Sequence, residues 1–190
     1  ANTQTRAAGE PLQVFVFGGS QGAHAVNVAM SEAAPALADG PVRIRITHQT
    51  GPRDVASVRE AYAAAGLDAV VDAYFFDMAH QLAQADVVVC LAGATTLAEL
   101  AAAGRAAILI PLPTATDDHQ RKNAEAVAAA GAAQVLLQRD LSGPRLATAI
   151  QALAADPVSR VRMSEAARRL ARPDAAAQIV DRALSLVGSR

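Results

Sequence analysis

The 190-residue sequence has one cysteine, no tryptophan, six aromatic residues and one lysine, Lys122. A single thiol cannot build a disulfide framework or a thiolate metal site, so a reducing compartment fits. Cys90 lies within Asp86-Val87-Val88-Val89-Cys90-Leu91 and reads as a buried, inert thiol. Charge of one sign is also missing. Seventeen basic residues against 18 acidic ones give a net charge of −1, which removes the basic face that phosphate contacts require and argues against nucleic acid as a partner. No stretch reaches the roughly 18 uninterrupted apolar residues of a membrane span, and the first ten residues carry no signal-peptide pattern. A soluble chain is expected.

What the sequence does have is apolar bulk. Hydrophobic residues make up 52%, alanine alone accounts for 48 positions, and 16 of the 17 basic residues are arginine. The alanine and arginine bias reads as the signature of a GC-rich genome. The length suits one domain with a sizeable core. Residues 1–10, polar and beginning ANTQTRAAGE, read as a linker remnant cut from something longer, and 11–190 as the domain.

Short, nearly continuous apolar runs near 12–17, 42–48, 69–74, 87–91, 107–110 and 134–137 predict strands buried on both faces of a parallel sheet. Helical patterns near 23–37, 53–65, 78–84, 95–103, 118–130 and 142–154 alternate with them, and two more near 157–170 and 173–187 follow. Alternating strand and helix gives an α/β, Rossmann-like doubly wound sheet. Ligands bind such sheets at the carboxyl ends of strands, so chemistry should lie just after each run.

After the first run comes Gly18-Gly19-Ser20-Gln21-Gly22-Ala23. Its glycines permit a tight turn and close anion approach at a helix N-terminus; it matches neither a P-loop nor GxGxxG, and a plain strand-to-helix turn is the alternative. After the fourth run, Gly93-Ala94-Thr95-Thr96 offers a second anion-ready helix start, with Thr95 or Thr96 as its cap. Two such starts suggest a diphosphate. Glu99 lies one turn beyond Thr95, placed to bond a ribose diol or simply to sit favourably near a helix N-terminus. After the fifth run, a polar loop leads to His119, Gln120 and Asn123, which suit sugar hydroxyls or a solvated helix start. His119 has no evident nucleophile beside it and no HExxH pattern, so neither a triad nor a metal site is expected. Tyr74-Phe75-Phe76-Asp77-Met78 holds half the aromatics just after the third run, where a planar base or a core-closing cluster would use them. His48-Gln49-Thr50-Gly51 is a polar turn that the sequence places but does not interpret.

In this order, GGSQGA at 18–23, HQTG at 48–51, FFDM at 75–78, ADVVVC at 85–90, GATTLAE at 93–99 and HQRKNA at 119–124 resemble the MurG family of bacterial glycosyltransferases. The likeness covers nearly the whole chain from Val14. It implies the C-terminal, donor-binding domain of a two-domain GT-B enzyme that transfers N-acetylglucosamine from UDP-N-acetylglucosamine to lipid I, forming lipid II for peptidoglycan. By that likeness Gly19, Ser20 and Gln21 would hold the diphosphate. Phe75 would read uracil through its backbone, with Tyr74 and Met78 nearby. Ala94, Thr95 and Thr96 would bind phosphate, Glu99 the ribose, and His119 and Gln120 the sugar, with Asn123 supporting their loop. Some family members carry glutamine in place of His119. The likeness implies no cofactor and no catalytic base in this chain, because the acceptor domain with its membrane-facing patch is absent. The whole enzyme would be peripheral on the cytoplasmic face of the inner membrane, and this chain would bind UDP-N-acetylglucosamine without turnover. Another GT-B transferase, an epimerase, or a non-catalytic nucleotide-binding module are the alternatives.

Overall fold

The computed structural model describes residues 10–19, 22–113 and 115–187. Most of the linker reading, and Ser20 and Gln21 of the glycine-rich loop, lie outside the described residues. Six strands form one sheet: β1 (Leu12–Phe17), β2 (Ile44–Gln49), β3 (Ala69–Asp72), β4 (Val87–Cys90), β5 (Ala106–Leu109) and β6 (Ala133–Val135). Every pairing is parallel and the order is β3-β2-β1-β4-β5-β6. Helices α1 (His24–Ala38), α2 (Val55–Ala64), α3 (Met78–Gln84), α4 (Ala94–Ala103) and α5 (His119–Ala129) connect successive strands, and α6 (Gly143–Ala155), α7 (Pro157–Leu170) and α8 (Ala175–Val187) follow. The doubly wound reading holds.

Strand periodicity divides the core between the two faces. Val14, Val16, Val87, Val89, Ile108 and Ile110 face one side, packed beneath α1, α2 and α6. Their neighbours Phe15, Phe17, Val88, Cys90, Ala107 and Leu109 face the other, with Leu82 and Leu100. Both faces being covered explains why these strands read as unbroken apolar runs. Alanine lets the layers approach closely: Ala33 and Ala34 of α1 are fully buried, and a Cβ on Gly143 of α6 would lie 2.4 Å from that of Glu32.

Several boundaries moved. β3 ends at Asp72 rather than Tyr74, because backbone bonding to the β2 segment runs out at Ala73, whose carbonyl accepts from Gly51 N–H, and the aromatic run then leaves the sheet. The expected cap at Thr95 or Thr96 is corrected: α4 starts at Ala94, and extended Gly93 occupies the N-cap with no side-chain bond. Helix α8 begins at Ala175, two residues after the expected Pro173. Its apolar residues Ile179, Val180, Leu184 and Leu186 are all exposed.

Candidate functional site

The order β3-β2-β1-β4-β5-β6 reverses direction between β1 and β4, the switch point beyond whose carboxyl ends open parallel sheets take their ligands. The two anion-ready segments leave from these two strands. Helix α1 follows β1 with Ala23 as N-cap, and α4 follows β4 with Gly93; neither has a side-chain cap. The first-turn N–H groups of both are therefore not capped by side chains, and the two positive helix ends follow the carboxyl ends of neighbouring strands.

The glycine-rich loop is held from below. Gly22 N–H donates to the Gly19 carbonyl at 3.1 Å. Gly22 has φ +73, and an added Cβ would stand 2.0 Å from the Thr50 carbonyl oxygen. Only glycine fits there, both in backbone conformation and in space. At the start of α4, Ala94 and Thr95 are exposed and Thr96 is half-buried. Glu99, also exposed, lines a cavity of about 320 Å³ between α3 and α4 together with Met78. Arg105, buried, holds the end of α3 through Ala83 and Ala85 carbonyl oxygens at 2.7 and 3.0 Å. Another cavity of about 270 Å³ lies between α4, α5 and α7 and contains none of the predicted site residues.

The aromatic segment divides. Phe75 turns its ring inward, edge-on to Phe15 with centroids 6.3 Å apart, while its backbone stays at the rim. Tyr74 and Phe76 pack against each other outside, at 4.9 Å, and Phe76 is 94% exposed. The Phe75 N–H is already engaged, donating to Gln49 Oε1 at 2.9 Å.

At the β5 end, Asp117 and Asp118 both adopt left-handed backbone, φ 51 and 55, immediately before α5. That unusual pair turns the chain so that His119 opens the helix, where it is exposed. Gln120 is partly committed: its Oε1 accepts from Ala92 N–H at 3.2 Å and Leu112 N–H at 3.0 Å. Asn123 donates to the Ala92 carbonyl at 3.4 Å, tying α5 to the segment that follows β4.

The HQTG segment, uninterpreted from sequence, lies under the glycine-rich loop. His48 and Gln49 are in β2 itself, correcting the reading of a turn after that strand. Asn27 of α1 donates through Nδ2 to the Thr50 carbonyl and to Asp54 Oδ2, both at 2.8 Å. Both partners only accept, so Asn27 Oδ1 must face the donor on His48 Nε2, 3.0 Å away. His48 Nδ1 then accepts from the Tyr62 hydroxyl at 2.8 Å. The imidazole is fixed as the neutral Nε2–H tautomer, and burial pushes its pKa down to about 3, opposed in part by the Asp54 charge. Burial raises the Asp54 carboxyl, but bonds from Asn27 and His24, with the charges of His24 and Arg53, outweigh it and leave the pKa below its ordinary value. Cys90 is fully buried, and burial with the nearby Glu99 charge pushes its thiol pKa up, in keeping with an inert group. Among the described residues no cluster of three or more His, Cys, Asp or Glu side chains could hold a metal ion, and no helix is long and apolar enough to cross a membrane.

Residues 13–179 match the glycosyltransferase family 28 C-terminal domain. The chain is 50% identical over 181 residues to the UDP-N-acetylglucosamine–N-acetylmuramyl-(pentapeptide) pyrophosphoryl-undecaprenol N-acetylglucosamine transferase of Pelobacter propionicus, covering 95% of this chain and 48% of that protein. It is 49% identical over 172 residues to the transferase of the same name from Geobacter sulfurreducens, covering 90% and 47%. The crystal structure of Acinetobacter baumannii MurG superposes with a TM-score of 0.83 at 37% identity, over 92% of this chain and 50% of that one. The chain thus spans about half the length of the relatives it matches.

Proposed function

The chain belongs to the glycosyltransferase family 28 C-terminal domain family, and from that premise we propose that it is the donor-binding half of a transferase that moves N-acetylglucosamine from UDP-N-acetylglucosamine to lipid I. The observation that carries this reading is the pair of helix N-termini without side-chain caps, those of α1 and α4, at the β1/β4 switch point. A diphosphate bridges two such ends where a monophosphate would need only one. Residues 11–190 form the donor domain, and the acceptor, the catalytic base and the membrane surface belong to a second domain.

Each part of the donor has a matching group. The diphosphate sits between the glycine-rich loop and the N–H groups of Ala94, Thr95 and Thr96. With its N–H held by Gln49, Phe75 offers its carbonyl oxygen to the uracil N3–H. Glu99 accepts from the ribose diol across the cavity it shares with Met78. His119 and the Nε2 of Gln120 meet the sugar. When the lipid hydroxyl attacks the anomeric carbon and UDP departs with inversion, negative charge grows on the β-phosphate, and the two positive helix ends stabilise it.

Calorimetric titration tests the reading. UDP-N-acetylglucosamine and UDP should bind, UDP-glucose and TDP-sugars more weakly; equal affinity for all would count against it. Glu99→Ala should weaken UDP by the loss of hydrogen bonds to a charged group, about 1.5 to 3 kcal/mol, or about tenfold to a hundredfold. Because Glu99 is exposed in the free chain, its thermal midpoint should barely move. Transfer to a lipid I analogue by this chain alone would contradict the assignment of the base to the other domain.

A further inference from the structure

Gln49 is the last residue of β2 and is 2% exposed, yet its side chain serves neither strand ladder. It sits in register between Phe17 of β1 and Asp72 of β3, the two residues from which the glycine-rich loop and the aromatic segment depart. Its Nε2 donates to the Gly19 carbonyl at 3.2 Å and its Oε1 accepts from Phe75 N–H at 2.9 Å. The carbonyl can only accept and the N–H can only donate, so the amide has one possible orientation. The Gly19 oxygen also receives Gly22 N–H at 3.1 Å, and both its lone pairs are then used.

We infer that Gln49 is a positioning residue that fixes the spacing between the phosphate-binding and base-binding loops before the nucleotide arrives. This rests on the uridine diphosphate reading of the site. The physical reason lies in the ligand. Uracil and diphosphate are joined by a ribose of fixed length, so both ends bind together only if the two loops hold the matching separation. Beyond β3 backbone bonding runs only as far as Gly51 N–H to the Ala73 carbonyl at 3.1 Å, and among the described residues no backbone bond joins the Gly19 segment to Phe75. One planar amide, its two polar atoms held by covalent geometry, sets their separation instead. Neither glutamate, which would place an acceptor against the Gly19 carbonyl, nor methionine, which bonds neither loop, can replace it. Pre-set spacing lets the second end of the ligand bind without a further ordering cost, which is the source of its advantage over a fragment.

The test compares UDP with uridine by NMR titration of this chain and its Gln49→Met variant, which keeps side-chain volume. In the wild type UDP binds more tightly than uridine by a ratio that measures the contribution of the diphosphate. In the variant that ratio should shrink about tenfold, about 1.4 kcal/mol, while uridine affinity changes less than about threefold, roughly half of that free energy. A general loss of structure would weaken both ligands alike and leave the ratio unchanged, and that result would overturn the inference. If the variant does not fold, amide exchange in the wild type decides: Phe75 N–H should be protected without ligand, and exchange at the rate of an open loop would overturn the tie. Failure of the wild type to bind UDP would count against the site reading, and binding with an unmoved ratio against Gln49 alone.

Discussion

Asn27→Ala tests the buried polar network that supports the glycine-rich loop. Asn27 is 2% exposed and makes three hydrogen bonds: to the Thr50 carbonyl at 2.8 Å, to Asp54 Oδ2 at 2.8 Å and from His48 Nε2 at 3.0 Å. Two are between neutral groups, at about 1 kcal/mol each, and one is to a carboxylate, at about 1.5 to 3 kcal/mol. The expected loss is therefore about 3.5 to 5 kcal/mol, a large part of the roughly 5 to 15 kcal/mol that holds a domain folded. For a chain of this size that lowers the thermal midpoint by about 7 to 20 °C. Urea unfolding followed by circular dichroism should show a lower midpoint concentration with an unchanged slope. Asn27→Asp keeps the shape but sets a carboxylate beside Asp54, so it should be no less destabilising. A loss below about 1 kcal/mol in either variant would refute the reasoning, because the three partners would then be satisfied without the amide.

Two further outcomes follow from the same region. Because His48 is held neutral with its pKa lowered to about 3, the unfolded chain takes up a proton near pH 6.5 that the folded chain refuses. Stability present above pH 6.5 should then fall by about 1.4 kcal/mol per pH unit as the pH drops toward 3, or about 2 kcal/mol by pH 5. Asp54, whose carboxyl is held below its ordinary value of 3.8 by hydrogen bonds and charges that outweigh its burial, adds to the loss at still lower pH. Unfolding free energies across that range measure the slope, and a flat profile from pH 7 to 5 would contradict the buried neutral imidazole. Gly22→Ala, placing a Cβ 2.0 Å from the Thr50 carbonyl oxygen at φ +73, should distort the loop and weaken UDP by at least about tenfold, about 1.4 kcal/mol. Unchanged affinity by calorimetry would remove that loop from the diphosphate site.

The sequence alone carried the secondary structure and the parallel sheet, because strands buried on both faces must read as unbroken apolar runs and their helices as alternating alanine-rich segments. It also carried the motifs, since a glycine at φ +73 or an aromatic at a strand end leaves a local mark. It did not reveal why HQTG is there. His48, Gln49 and Thr50 act through partners 14 to 30 positions away, in α1, α2 and the loops after β1 and β3, and local spacing contains no trace of such partners. The same reason explains Gln120, which read as a sugar ligand yet spends its carbonyl on Ala92 and Leu112. Local pattern determined which segments would be helix, strand and loop. Only the tertiary structure decided which backbone groups stay open to a ligand and which are already taken by a side chain, because hydrogen bonds between loops depend on how the strands are ordered in the sheet.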